Sequence, residues 1–114
     1  MTVRYHIRLP DPAHARGSEP VLSFHAHSPD TFAGQLQDAL RTPALFERWR
    51  ALQPDPDEVD PALGVTDPQA RVSGEQHTLT IDLIVLTAIP GDILKQRLRL
   101  LAGNHWELRN VSRG

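Results

Sequence analysis

Gln76-His77-Thr78-Leu79-Thr80-Ile81-Asp82-Leu83-Ile84-Val85-Leu86-Thr87-Ala88-Ile89 is the stretch that decides the fold. Its first half alternates, with Leu79, Ile81, Leu83 and Val85 set against Thr78, Thr80 and Asp82. That is the period of a strand with one buried face. From Leu83 to Leu86 the run is continuously apolar. A strand half-exposed at first and then apolar on both faces belongs in the middle of its sheet. Ile84 and Leu86 then lie on the side of Thr80 and Asp82, where a loop, a terminus or a second copy must cover them.

Upstream, Ala70-Arg71-Val72-Ser73 reads as the partner strand, with Gly74-Glu75 as a tight hairpin turn. Downstream, Pro90-Gly91-Asp92 opens a helix with Asp92 as cap or first-turn acid, and Gly103-Asn104 stops it. Ile93, Leu94, Leu98, Leu100 and Leu101 form its apolar arc, and Arg97 falls inside that arc. A guanidinium snorkelling past the helix edge is the expected arrangement; a buried charge paired with a carboxylate or ligand is the alternative. His105-Trp106-Glu107-Leu108-Arg109 follows as an alternating strand with Trp106 and Leu108 inward.

Two more alternating stretches precede the decisive one. In Val3-Arg4-Tyr5-His6-Ile7-Arg8-Leu9 the odd positions are apolar, and Val21-Leu22-Ser23-Phe24-His25-Ala26-His27 sets Leu22, Phe24 and Ala26 against polar neighbours. Both read as strands, joined by the proline-rich loop 10–20. Ser28-Pro29-Asp30 combines an N-cap serine, a proline at the first helical position and a first-turn acid. The helix it starts places Phe32, Ala33, Leu36, Ala39 and Leu40 on one arc. Thr42-Pro43 starts a second helix that places Leu45, Phe46, Trp49 and Leu52 on one arc. Residues 54–69 carry four prolines and no period and form a loop, with a turn near Ala62-Leu63-Gly64.

The element order ββαα-ββαβ predicts an α+β fold. Its sheet is a single mixed, mostly antiparallel layer of four or five strands, with the helices packed on one face. Residues 1–114 read as a single domain. Its predicted core is Tyr5, Ile7, Leu22, Phe24, Phe32, Leu36, Leu40, Leu45, Trp49, Ile81, Leu83, Val85, Leu94, Leu98, Trp106 and Leu108. The strand–helix alternation resembles ferredoxin-like arrangements, an analogy of fold that assigns no function.

Composition removes several function classes. The 114 residues contain no cysteine, so disulfides, thiolate nucleophiles and cysteine-ligated zinc are excluded. No apolar leader or membrane span is visible, and the chain reads as cytoplasmic with no membrane partner. Among the 12 basic residues only Lys95 is lysine, a skew that points to a GC-rich bacterial genome. The net charge of −2 hides an asymmetry. Asp55, Asp57, Glu58, Asp60 and Asp67 fall together without a base, so the remainder is mildly basic. That remainder is far from the footprint of a dedicated nucleic-acid binder. There is no phosphate-cradling glycine loop, serine elbow, H-E-x-x-H or EF-hand spacing. Enzyme chemistry therefore has no positive support, and no cofactor is expected.

The polar sides of the alternating strands carry the candidate binding residues. Arg4, His6, Arg8, His25, His27, Asp82, His105, Glu107 and Arg109 share one nominal sheet face, which would hold four of the six histidines. The best reading is a non-enzymatic binding or protein-interaction domain whose partner is a protein or a second copy meeting Ile84 and Leu86. A His-based metal site from His6, His25 and His27 is the alternative, since His25-x-His27 projects two imidazoles to one side of a strand. A weak nucleic-acid surface is a third, disfavoured because Tyr5, Phe24 and Trp106 sit on the inward parity and leave no stacking platform.

Overall fold

A computed structural model describes residues 2–113. Four strands, β1 (Val3–Leu9), β2 (Arg71–His77), β3 (Thr80–Thr87) and β4 (Glu107–Arg113), form one sheet in the order β2-β3-β1-β4. All three neighbouring pairs are antiparallel. Three helices, α1 (Pro29–Arg41), α2 (Ala44–Ala51) and α3 (Gly91–Ala102), pack on one face, so the α+β class read from the sequence holds. β1 lies between β3 and β4, and β3 lies between β1 and β2, a doubled split βαβ connectivity. The Cα envelope is only 18 Å deep, the depth of one sheet and one helical layer. Among the described residues no layer covers the second face of the sheet.

The core follows the predicted parity. Tyr5, Ile7 and Leu9 of β1 and Ile81, Leu83 and Val85 of β3 point into the helical layer with Phe32, Leu36 and Leu40 of α1 and Leu94 and Leu98 of α3. Trp49, Trp106 and Leu108 are half-buried at its rim. The N-terminus of α1 forms as its residues dictate: Ser28 Oγ accepts from Thr31 N, and Thr31 Oγ1 accepts from Ser28 N. At the end of α3, Gly103 takes a φ of 64°.

Three expectations are corrected. First, residues 21–27 form no strand, although Leu22, Phe24 and Ala26 are buried. Both edges of β1 are taken by β3 and β4, and Gln37 Oε1 of α1 accepts the Val72 N–H on β2. The segment instead crosses the helical layer, with Phe24 N bonded to Leu101 O, Arg16 Nη2 to Ala26 O and the Phe24 ring edge-on to Phe32.

Second, the hairpin turns at Thr78-Leu79, because His77 pairs with Thr80 and β2 runs straight through Gly74 and Glu75. Leu79 is accordingly 80% exposed, and Thr78 takes a φ of 52°. Gly74 serves another purpose. A Cβ there would sit 2.3 Å from the Pro29 carbonyl oxygen, so glycine lets the start of α1 lie on β2.

Third, Arg97 does not snorkel. It is 2% exposed, and its guanidinium donates to the carbonyls of Ala39, Leu63 and Val65. Burial pushes its pKa down. No carboxylate pairs with it among the described residues; a helix end and a loop hold the charge instead. Loop 54–69 is itself organised, with short 3₁₀ turns at Pro56–Glu58 and Pro61–Gly64. Asp67 closes it: its carboxylate accepts from Thr87 Oγ1, Ala88 N and Gln69 N.

Candidate functional site

The open face of the sheet is built from alternate residues of the four strands. β1 contributes Arg4, His6 and Arg8, and β3 contributes Asp82, Ile84 and Leu86. Register places Arg71, Ser73 and Glu75 of β2 opposite Leu86, Ile84 and Asp82. On the other side Ser112, Asn110 and Glu107 of β4 stand opposite Arg4, His6 and Arg8. A bulge between His6 and Ile7 leaves Arg109 as the extra residue of β4.

Asp82 is the electrostatic centre of this face and only 7% exposed. Arg8 grips it with two bonds, Nε to Oδ1 at 2.9 Å and Nη2 to Oδ2 at 3.3 Å. His6 Nε2 and His77 Nε2 stand 3.2 and 3.4 Å from the same Oδ2. The Arg8 guanidinium, seconded by His6, holds the Asp82 carboxyl below the usual carboxylate range against the upward push of burial. Asp82 in turn raises the Arg8 pKa. The approach of His6 to Asp82 is off the line of a hydrogen bond, so its buried Nε2 has no hydrogen-bond partner.

An open trough of about 570 Å³ runs over this centre, lined by Arg4, His6, Ser73, Glu75, His77 and Asp82 with Ile84 in its floor. Its two ends differ in how their charged groups are partnered. At the Asp82 end every acid has a basic neighbour: Asp82 has Arg8, Glu75 has His77 at 3.7 Å, and Glu107 has Arg109 at 3.3 Å. At the Leu86 end Arg4 and Arg71 flank an apolar residue, and neither meets a carboxylate among the described residues.

The structure gathers Arg4, His6, Arg8, Asp82 and Glu107 on this face, with Arg109 at its edge. It does not gather the others. His25 and His27 are exposed in the segment before α1, off the sheet, because that segment is not a strand. His105 precedes β4, and its ring lies 6.5 Å from that of His14. The set His6, His25 and His27 therefore has no common site, and no metal-holding cluster occurs among the described residues. Sequence reasoning missed His77, Arg71, Ser73 and Glu75, because a turn at Gly74-Glu75 made Glu75 a loop residue, joined His77 to the following strand and set Arg71 and Ser73 in the wrong register against it. Their odd-numbered alternation across 71–77 was the available signal. No helix among the described residues is long and apolar enough to cross a membrane. Comparison with known proteins finds no matching family model, no similar curated protein and no similar solved structure.

Proposed function

We propose that this chain is a non-enzymatic protein-interaction module that self-associates through the open face of its sheet. The observation that carries the reading is the half-buried pair Ile84 and Leu86 on the face opposite the helices, with Arg4 and Arg71 beside them, neither of which meets a carboxylate among the described residues. Antiparallel sheets facing water ordinarily alternate to polar residues on that side. Apolar residues at the centre of a polar rim are the composition of an interface core. A cysteine-free chain suits a reducing setting such as the cytoplasm.

Light scattering across a concentration series tests this. A mass approaching twice 12.7 kDa at micromolar concentration supports it, with Ile84→Lys returning the protein to monomer. A wild-type monomer throughout the series rejects it. The nucleic-acid reading has less support, since Tyr5 and Phe24 are buried and the Trp106 indole is bonded to Gly103 O, leaving no phenyl, phenol or indole ring on the open face on which a base could stack.

A further inference from the structure

The open face is a small platform for holding two copies together. Its four strands of seven or eight residues span roughly 20 by 23 Å, and a stable interface removes about 800 Å² of accessible surface from each partner. A second element of the partner would enlarge the contact, and the face states its chemistry. Asp82 and Glu107 each have an arginine and Glu75 has His77 beside it, whereas Arg4 and Arg71 meet no carboxylate among the described residues. The missing element is an anion.

The chain carries such an element in Pro54–Asp60. Asp55, Asp57, Glu58 and Asp60 are exposed there, and Val59 is half-buried among them. The one cation that approaches among the described residues is Arg50, 3.8 Å from Asp57, whose side chain is 95% exposed. Asp60 is engaged in accepting from Ala62 N. Asp55 and Glu58 meet no cation among the described residues. The acidic segment lies against α2, where Arg50 Nε donates to Pro56 O, and the far end of the same loop is anchored at the end of the sheet. Asp67 fastens it to Thr87 and Ala88, and the adjoining Leu86 is the residue that Arg4 and Arg71 flank. A two-fold axis at that end makes the contact reciprocal, each loop reaching the other copy's arginines.

We infer that the acidic segment Pro54–Asp60 of a second copy docks on the Arg4–Arg71 end of the open face. The inference rests on the self-association proposed above and names the element that completes it. Both contacts are made twice in the dimer, and exposed charge pairs of this kind weaken with salt.

Charge exchange between the two surfaces tests it. Arg4→Glu with Arg71→Glu gives one variant, and Asp55→Arg with Glu58→Arg gives the other. Each alone is expected to raise the dimer dissociation constant by about tenfold or more. An equimolar mixture restores both contacts and is expected to form a mixed dimer with near wild-type affinity, read by sedimentation with one variant fluorescently labelled. If the Asp55→Arg/Glu58→Arg protein dimerises as the wild type does, the loop assignment is wrong. In that protein Ile84→Lys separates the two ideas: loss of the dimer leaves the open face as the interface, and retention removes that reading as well. A wild-type chain that stays monomeric overturns both.

Discussion

Arg97 of α3 donates a hydrogen bond of 3.2 Å to the carbonyl of Ala39, in the last turn of α1. The last four carbonyls of a helix have no partner within it and carry the negative end of its dipole. A buried cation is therefore placed where the fold has acceptors to satisfy. The same guanidinium takes the carbonyls of Leu63 and Val65, while Leu40 O accepts from Asp67 N. One charge and one backbone amide thus cap α1 and fasten loop 54–69 onto it. Because that loop carries the acidic segment, its anchorage bears on the surface it presents.

Replacing Arg97 by leucine is expected to destabilise the protein. The apolar side chain suits the arc, but the buried Ala39 carbonyl loses its donor, at a cost of about 1–3 kcal/mol, while the part-buried carbonyls of Leu63 and Val65 turn to water. A loss of about 1–3 kcal/mol in urea unfolding is expected, with proteolytic cleavage within residues 54–66 appearing before global unfolding. An unchanged urea midpoint would show that the guanidinium is not holding the loop.

Acid should loosen the same loop through Asp67. The Ala88 amide, with Thr87 and Gln69, holds its carboxyl below the usual carboxylate range. A depressed folded-state pKa contributes stability above the unfolded value, near pH 4, and loses it as pH falls through the folded value. Asp82, depressed chiefly by Arg8, acts in the same direction. Thermal melting is expected to be flat from pH 7 to about 5 and to fall below about pH 4. Asp67→Asn should lower the neutral-pH melting temperature and flatten the acid limb; an acid limb as steep as wild type counts against the assignment.

The hairpin at Thr78-Leu79 holds a β-branched residue at a φ of 52°, with positive φ at the first loop position only. Two-residue loops with that pattern take glycine there. An L-residue in the left-handed region costs about 1–2 kcal/mol, part of which glycine returns through the entropy of the unfolded chain. Thr78→Gly is expected to stabilise by about 0.5–1 kcal/mol in chemical denaturation. A destabilised variant would mean that the turn is not strained at this position.

Much of this architecture is written in period and caps. β1, β3 and the three helices follow from alternation, helical arcs and the Ser28, Pro43 and Gly103 signals, because in those elements the local preference and the tertiary environment agree. Residues 21–27 show what a period of two leaves open. It specifies which side chains go inward, and Leu22, Phe24 and Ala26 do, yet it names no strand to pair with. The hairpin failed for the converse reason, as the glycine that looked like a turn is required by packing and the turn itself falls on a threonine. That one error hid the β2 half of the site, including His77 beside Asp82. Arg97 was legible as an anomaly but not as a solution, since its acceptors lie 32 to 58 positions away along the chain.

Two glycines on or against α1 should respond to alanine in opposite senses. At Gly74 a Cβ would lie 2.3 Å from the oxygen and 2.8 Å from the carbon of the Pro29 carbonyl, both backbone atoms that cannot rotate aside. Relief requires α1 to lift from β2, straining the bond between Gln37 Oε1 and Val72 N and the packing of Phe32 beneath. Overpacking of this kind costs about 1–3 kcal/mol, and Gly74→Ala should fall in the upper part of that range. At Gly34, inside α1, nothing lies within 4 Å of an added Cβ. There alanine gains helix propensity, about 1 kcal/mol. Urea unfolding of the two variants side by side checks both. Equal and small effects would mean that α1 does not rest on β2 at Gly74, and the helical layer would then have to be repositioned relative to the sheet.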